Sequence, residues 1–246
     1  MSARGRPDLG RTRGLGALIN DALGVYLAHF RTFIVLAATI VVPAELVVGG
    51  IGLEQLTSGY DESTPLGEAL ISPLVGILVV LPLINATCIH ALRAVAESGS
   101  PRAREALTAG FEEFTPIFLA VVLAAAGVAL GLLALVIPGV YLAVRWFFVP
   151  QTVVLEGARG VGALRRSGEL VQGVWWRTFG VLLAANLLAA VPSLLLAAPF
   201  EALAQETDRA VFSLAGTALS QTLTAPFVAL LSTLLYFDTR TRKAPV

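Results

Sequence analysis

Six long apolar stretches alternate with three short amphipathic ones along the chain, and this alternation predicts its fold. At 15–30, Leu15, Leu18, Ile19, Ala22, Val25 and Tyr26 recur at helical spacing with Asn20 and Asp21 on the other side, giving a helix too polar to span a bilayer. The pattern returns at 102–114, where Ala103, Leu107, Gly110, Phe111 and Phe114 oppose Arg104, Glu105, Thr108 and Glu112. It returns again at 158–173, where Val161, Leu164, Gly168 and Val171 oppose Arg165, Arg166, Glu169 and Gln172. The apolar runs lie at 33–53, 69–94, 115–137, 140–155, 179–198 and 210–237. About 20 helical residues cross about 30 Å of hydrocarbon, so these runs read as spans. Pro138 and Gly139 leave room only for a tight turn between the third and the fourth. Gly127 and Gly131 have the small-residue spacing that lets two helices approach.

Composition places the chain in a bilayer: 56% of it is hydrophobic and 14% is charged, against about 25% charged in soluble domains. The single cysteine, Cys88, sits inside an apolar run and reads as a packing residue. Net charge is zero, but the charges are unevenly placed. Every basic residue except Arg145 and Arg209 falls on the side of the amphipathic helices, whereas 54–68 carries Glu54, Asp61, Glu62 and Glu68 with no basic residue. The positive-inside rule makes the basic side cytoplasmic, with both termini there. Arg4, Arg6, Arg11 and Arg13 lie among Gly, Pro and Ser with no apolar core behind them, which predicts a disordered basic arm over 1–14 rather than a signal peptide. Only Lys243 is a lysine, an arginine bias that fits a GC-rich bacterial genome.

Internal similarity groups the spans. Ala17-Leu18 aligned on Ala163-Leu164 sets Phe30-Arg31-Thr32-Phe33 on Trp176-Arg177-Thr178-Phe179, and a weaker third copy sets Phe30 on Phe114. The expected fold is all-α: a polytopic membrane protein with six transmembrane helices in three hairpin repeats, each preceded by an interfacial amphipathic helix. The expected organisation is one six-span domain at 15–239, with units at about 15–97, 102–156 and 158–239, then a basic cytoplasmic tail at 240–246.

Polar groups inside the spans are the candidate site. Arg145 lies about ten residues, hence about 15 Å, from the cytoplasmic end of the fourth span, a depth at which a charge costs a few kcal/mol. Glu45 is the one acidic residue inside an apolar run, roughly 6 Å farther along the membrane normal, within an arginine's reach. The expectation is a Glu45–Arg145 ion pair, serving either as a structural pin or as a site for an anionic headgroup or substrate. Asn85, Asn186 and Gln221 are expected to hydrogen-bond between helices. Glu156 is expected to form a salt-bridged elbow with the basic residues of 158–173, and Arg165, Arg166, Arg177 and Arg31 are candidate contacts for anionic lipid. No metal cluster, phosphate loop or nucleophile elbow is readable, so no cofactor, metal or catalytic residue is assigned. The basic residues lie where topology requires them, which argues against nucleic acid.

Ile137-Pro-Gly-Val-Tyr-Leu-Ala-Val-Arg-Trp146, Val154-Leu-Glu-Gly157, Ala163-Leu-Arg-Arg-Ser167 and Tyr236-Phe-Asp-Thr-Arg240 together resemble a broad group of bacterial six-span membrane proteins. That group includes the membrane domain of some glycerophosphoryl diester phosphodiesterases. The resemblance implies a helical membrane domain, with hydrolysis carried by a separate soluble domain for which this chain has no room. The expected function is a noncatalytic scaffold or partner in envelope and lipid homeostasis, in the bacterial cytoplasmic membrane. Its expected partners are lipids and another membrane protein or a second copy. The alternative is a small transporter or lipid-handling protein using Glu45 and Arg145.

Overall fold

The computed structural model describes residues 7–50 and 73–243, with side chains to 48 in the first stretch. The acidic loop at 54–68, Arg4, Arg6 and the last three residues lie outside the described residues. Within them the chain is all helix and turn, with no strand. The helices are α1 (Leu15–Ala28), α2 (Phe30–Gly50), α3 (Leu81–Ser98), α4 (Ala103–Glu112), α5 (Phe114–Ala134), α6 (Val136–Arg145), α7 (Val149–Glu156), α8 (Val161–Val171), α9 (Trp175–Thr207) and α10 (Ala210–Lys243). Among the described residues six stretches are long and apolar enough to cross a membrane: Phe30–Val48, Pro73–Ser98, Phe114–Ala134, Val136–Glu156, Trp175–Thr207 and Ala210–Lys243.

The last helix is the pillar of the bundle. α10 packs against α1, α2, α3, α8 and α9, and its Leu230, Leu231, Leu234, Leu235 and Tyr236 are completely buried. α9 packs on α10 and leaves Leu187, Val191, Leu194 and Leu195 exposed on its outer side. Helices this apolar associate by close approach of their backbones. Glycines supply that approach. A Cβ on Gly131 would stand 3.0 Å from the Gly139 backbone, and one on Gly127 would stand 2.4 Å from the Trp146 ring. α4 docks on α3 in the same way, with the face of Gly110 against Thr87.

Prolines explain where the helices depart from the sequence expectation. The turn between α5 and α6 falls at Leu135, in extended conformation, rather than at Pro138 and Gly139. A proline lacks the N–H that the first turn of a helix leaves unused, so Pro138 begins α6 instead of ending α5. The fourth apolar run is not one rod: it breaks over 146–148, because the Pro150 ring has no N–H for the Trp146 carbonyl and collides with it. A π-helical turn, Gly76–Val80, precedes Pro82 for the same reason. α9 runs on through Pro192 and Pro199 to Thr207, well past the expected end at 198. α10 continues to Lys243, so the expected tail is helical as far as it is described. α1 buries Leu18, Ala22, Val25 and Tyr26, but its other side also carries exposed Leu23 and Leu27.

A Gly139→Ala substitution brings its Cβ to 2.4 Å from the Leu132 side chain and 2.8 Å from the Leu132 backbone nitrogen. Such overpacking costs about 1–3 kcal/mol. The unfolding temperature in detergent is expected to fall by several degrees, whereas Gly162→Ala, which meets nothing within 4 Å, leaves it unchanged or slightly raised.

Candidate functional site

On α10 the buried stripe runs Leu231, Leu234, Leu235 and then, one turn on, Asp238, so helical phase places a carboxylate where leucines would otherwise go. A buried carboxylate needs partners to remain ionised. Asp238 takes them from three parts of the chain: Arg177 at the start of α9 (2.7 Å), Arg242 one turn along α10 (2.9 Å), and the backbone N–H of Arg13 ahead of α1. Arg177 and Arg242 also donate to the Arg13 carbonyl, at 2.6 and 2.8 Å. The Arg13 side chain is itself buried and reaches Asp21 of α1 at 2.8 Å, with Arg11 on the same carboxylate oxygen. Burial acts to raise the Asp21 carboxyl, but hydrogen bonds from Arg13 and Arg11 outweigh it and hold it below the usual carboxylate range. The part of the basic arm that is described is therefore tied down.

The Glu156 elbow forms. Arg166 meets Glu156 at 2.6 and 3.2 Å, and the Tyr236 hydroxyl donates to the same carboxylate at 2.6 Å. Arg165 contributes little to it: its side chain is 82% exposed and its partner is Glu169, at 3.7 Å. Arg31 is exposed and belongs to no ion pair among the described residues.

The expected Glu45–Arg145 pair does not form. Glu45 accepts from Gln221 Nε2 at 2.9 Å, which joins α2 to α10. Arg145 donates to the Tyr141 hydroxyl at 3.1 Å, and its guanidinium lies on Gly168 of α8, where a Cβ would stand 2.9 Å from Nε. The reason is the break after α6. It leaves backbone groups open at 145–148, and Ser167 of α8 satisfies two of them, donating to the Arg145 carbonyl (2.9 Å) and accepting from the Phe148 N–H (3.1 Å). Arg145 thus ends a helix docked on α8 rather than facing α2.

Asn85 does link helices, but Asn186 does not. Asn186 is exposed and donates to the Leu182 carbonyl of its own helix. Asn85 Oδ1 accepts from Gln151 (3.4 Å) and Ser232 (3.2 Å), while Gln151 Nε2 also donates to Ser232 at 3.0 Å. This knot ties α3, α7 and α10 together. Sequence reasoning missed Gln151, Asp238 and the His90–Glu113 contact at 3.0 Å. Extending the leucine stripe of α10 by one turn would have found Asp238.

The described residues hold no group of three or more His, Cys, Asp or Glu side chains placed to bind a metal. A family model, described as a domain of unknown function (DUF7847), matches residues 22–239. The chain belongs to this family. No curated protein and no solved structure matches it. The DUF7847 region takes in Asp238, Arg177, the Glu156 elbow and the Asn85 knot, while Arg13 and Arg242 lie outside it. Its description names no activity, and nothing ties the chain to glycerophosphoryl diester phosphodiesterases.

Removing the buried carboxylate leaves two arginines facing each other. Asp238→Ala is expected to lower stability by about 3 kcal/mol, the lower end for breaking a buried pair, because Arg177 and Arg242 are partly exposed. It should also speed tryptic cleavage at Arg11 and Arg13. Arg165→Ala should change stability by less than about 0.5 kcal/mol. Both are read by thermal unfolding and by limited proteolysis in detergent.

Proposed function

We propose that this DUF7847 protein is a noncatalytic scaffold of the bacterial cytoplasmic membrane. Its three units each consist of an amphipathic helix in the inner leaflet feeding two spans, and both termini face the cytoplasm. It acts as a partner in envelope or lipid homeostasis. One observation carries the reading: Asp238 meets Arg177, Glu45 meets Gln221 and Asn85 meets Gln151 and Ser232, each across helices. Such contacts specify how helices assemble. The clustering of Arg13, Arg177, Arg166, Arg240 and Arg242 at one end of the bundle supports the orientation.

A second reading has its own support. Among the described residues Arg145 has no carboxylate partner, and an arginine so placed suits an anionic headgroup or substrate. Purification into native-lipid discs separates the two. On the scaffold reading, the wild type and Arg145→Ala carry the same lipids and the same stoichiometric protein partner. A defined anionic lipid or metabolite present in the wild type and lost from Arg145→Ala would replace the scaffold with lipid handling or transport. Alkaline phosphatase inserted after Asp208 should be active, and fused after Val246 inactive.

A further inference from the structure

Of the six long apolar stretches among the described residues, α9 is the least covered, with 11% of its most apolar part buried. It packs on α10 and meets α6 near its start, where Trp175 donates to the Tyr141 carbonyl and stacks on the Tyr141 ring. Val181 and Ala185 face inward, while Leu183, Leu187, Leu188 and Val191 are exposed. Lipid chains suit those exposed side chains. They do not suit Asn186, which is exposed among them.

A carboxamide has two N–H donors and a carbonyl acceptor. Asn186 donates one N–H to the Leu182 carbonyl of its own helix at 2.8 Å, and among the described residues it has no other partner. One donor and the Oδ1 acceptor are left open at the surface. Asn186 stands nine residues along α9 from Arg177, hence about 14 Å deeper than the Arg177–Asp238 pair. At that depth in a bilayer neither water nor a headgroup is at hand, and hydrocarbon offers no hydrogen bond.

One donor beside one acceptor is answered by the same group in reverse, each carboxamide donating to the other's oxygen. A second copy of this chain supplies that group with no further condition. Two copies inserted the same way run α9 parallel to α9, and a twofold axis along the membrane normal sets Asn186 opposite Asn186 at one depth. Helical phase extends the contact. Leu183, Asn186, Ala190, Ser193 and Ala197 follow at steps of three and four residues, the spacing of a parallel helix pair, and the short side chains after Asn186 let two backbones approach. No charged residue lies between Arg177 and Glu201 to oppose it.

We propose that this flank of α9 is the interface of a parallel homodimer, with an Asn186–Asn186 carboxamide pair at its centre. The inference rests on the membrane reading above and adds a partner to it.

The full chain is reconstituted in phosphatidylcholine vesicles over a range of lipid-to-protein ratios, and carbonate extraction checks insertion. A chain that does not insert sinks the membrane reading and this interface with it, whereas an inserted chain tests the interface alone. Single cysteines are placed at Ala190→Cys, on the proposed flank, and at Leu188→Cys, at nearly the same depth on the opposite one. Both are oxidised with copper phenanthroline, and wild type, whose one cysteine is buried, sets the background. Ala190→Cys is expected to give a disulfide-linked dimer whose yield survives lipid dilution, and Leu188→Cys to give none above background. Adding Asn186→Leu to Ala190→Cys should lower the yield about threefold or more, while Asn186→Gln, which keeps a carboxamide, should retain most of it. Equal cross-linking from both positions, a yield that falls in step with dilution, or a yield unchanged by Asn186→Leu would each overturn the proposal.

Discussion

A carboxylate shut away from water stays ionised only while cations and N–H groups surround it, and Asp238 brings that requirement to the buried end of the central helix. Three segments answer it, and a fourth is linked through them. Arg177 starts α9, Arg242 closes α10, the Arg13 backbone supplies an N–H, and the Arg13 side chain passes the link on to Asp21 of α1. One acidic side chain thereby sets where the amino-terminal segment meets the bundle and where the long outer helix begins. Neutral hydrogen bonds between spans average under about 1 kcal/mol and cannot fix a register as firmly.

The broken fourth stretch poses the second constraint. Pro150 interrupts the helix, and a helix interrupted among apolar neighbours must have its freed backbone groups satisfied from outside. α8 does this with Ser167, and the Glu156–Arg166 contact closes the elbow between α7 and α8. The amphipathic helix at 161–171 is therefore a structural part of the bundle and more than a strip lying beside it. Gly168 allows the close approach and leaves room for Arg145 over it. The same break leaves Arg145 at the end of a helix docked on α8.

Much of this was legible in the sequence. Apolar length gave the six stretches, helical periodicity gave the three amphipathic helices, and glycine spacing gave the contacts of Gly127 and Gly131, because each depends on local pattern. The Glu156 elbow followed from its nearness to Arg166. Partners distant in sequence were not legible. Glu45 and Arg145 were matched by depth along the membrane normal, but depth says nothing about which way a side chain points around its helix. Gln221 meets Glu45 because α2 and α10 pack together, a fact of tertiary arrangement. Asp238 lay unremarked within the Tyr236–Arg240 segment, although the leucine stripe leading to it held the signal.

Asp238 and Arg177 act as one unit, and a double-mutant cycle between Asp238→Asn and Arg177→Gln measures how strongly. Thermal unfolding of the wild type, both single variants and the double variant in one detergent gives the coupling. A coupling of at least about 1 kcal/mol is expected, with the double variant less damaged than the sum of the single ones. Additive losses would contradict it and return the bundle's assembly to apolar packing alone.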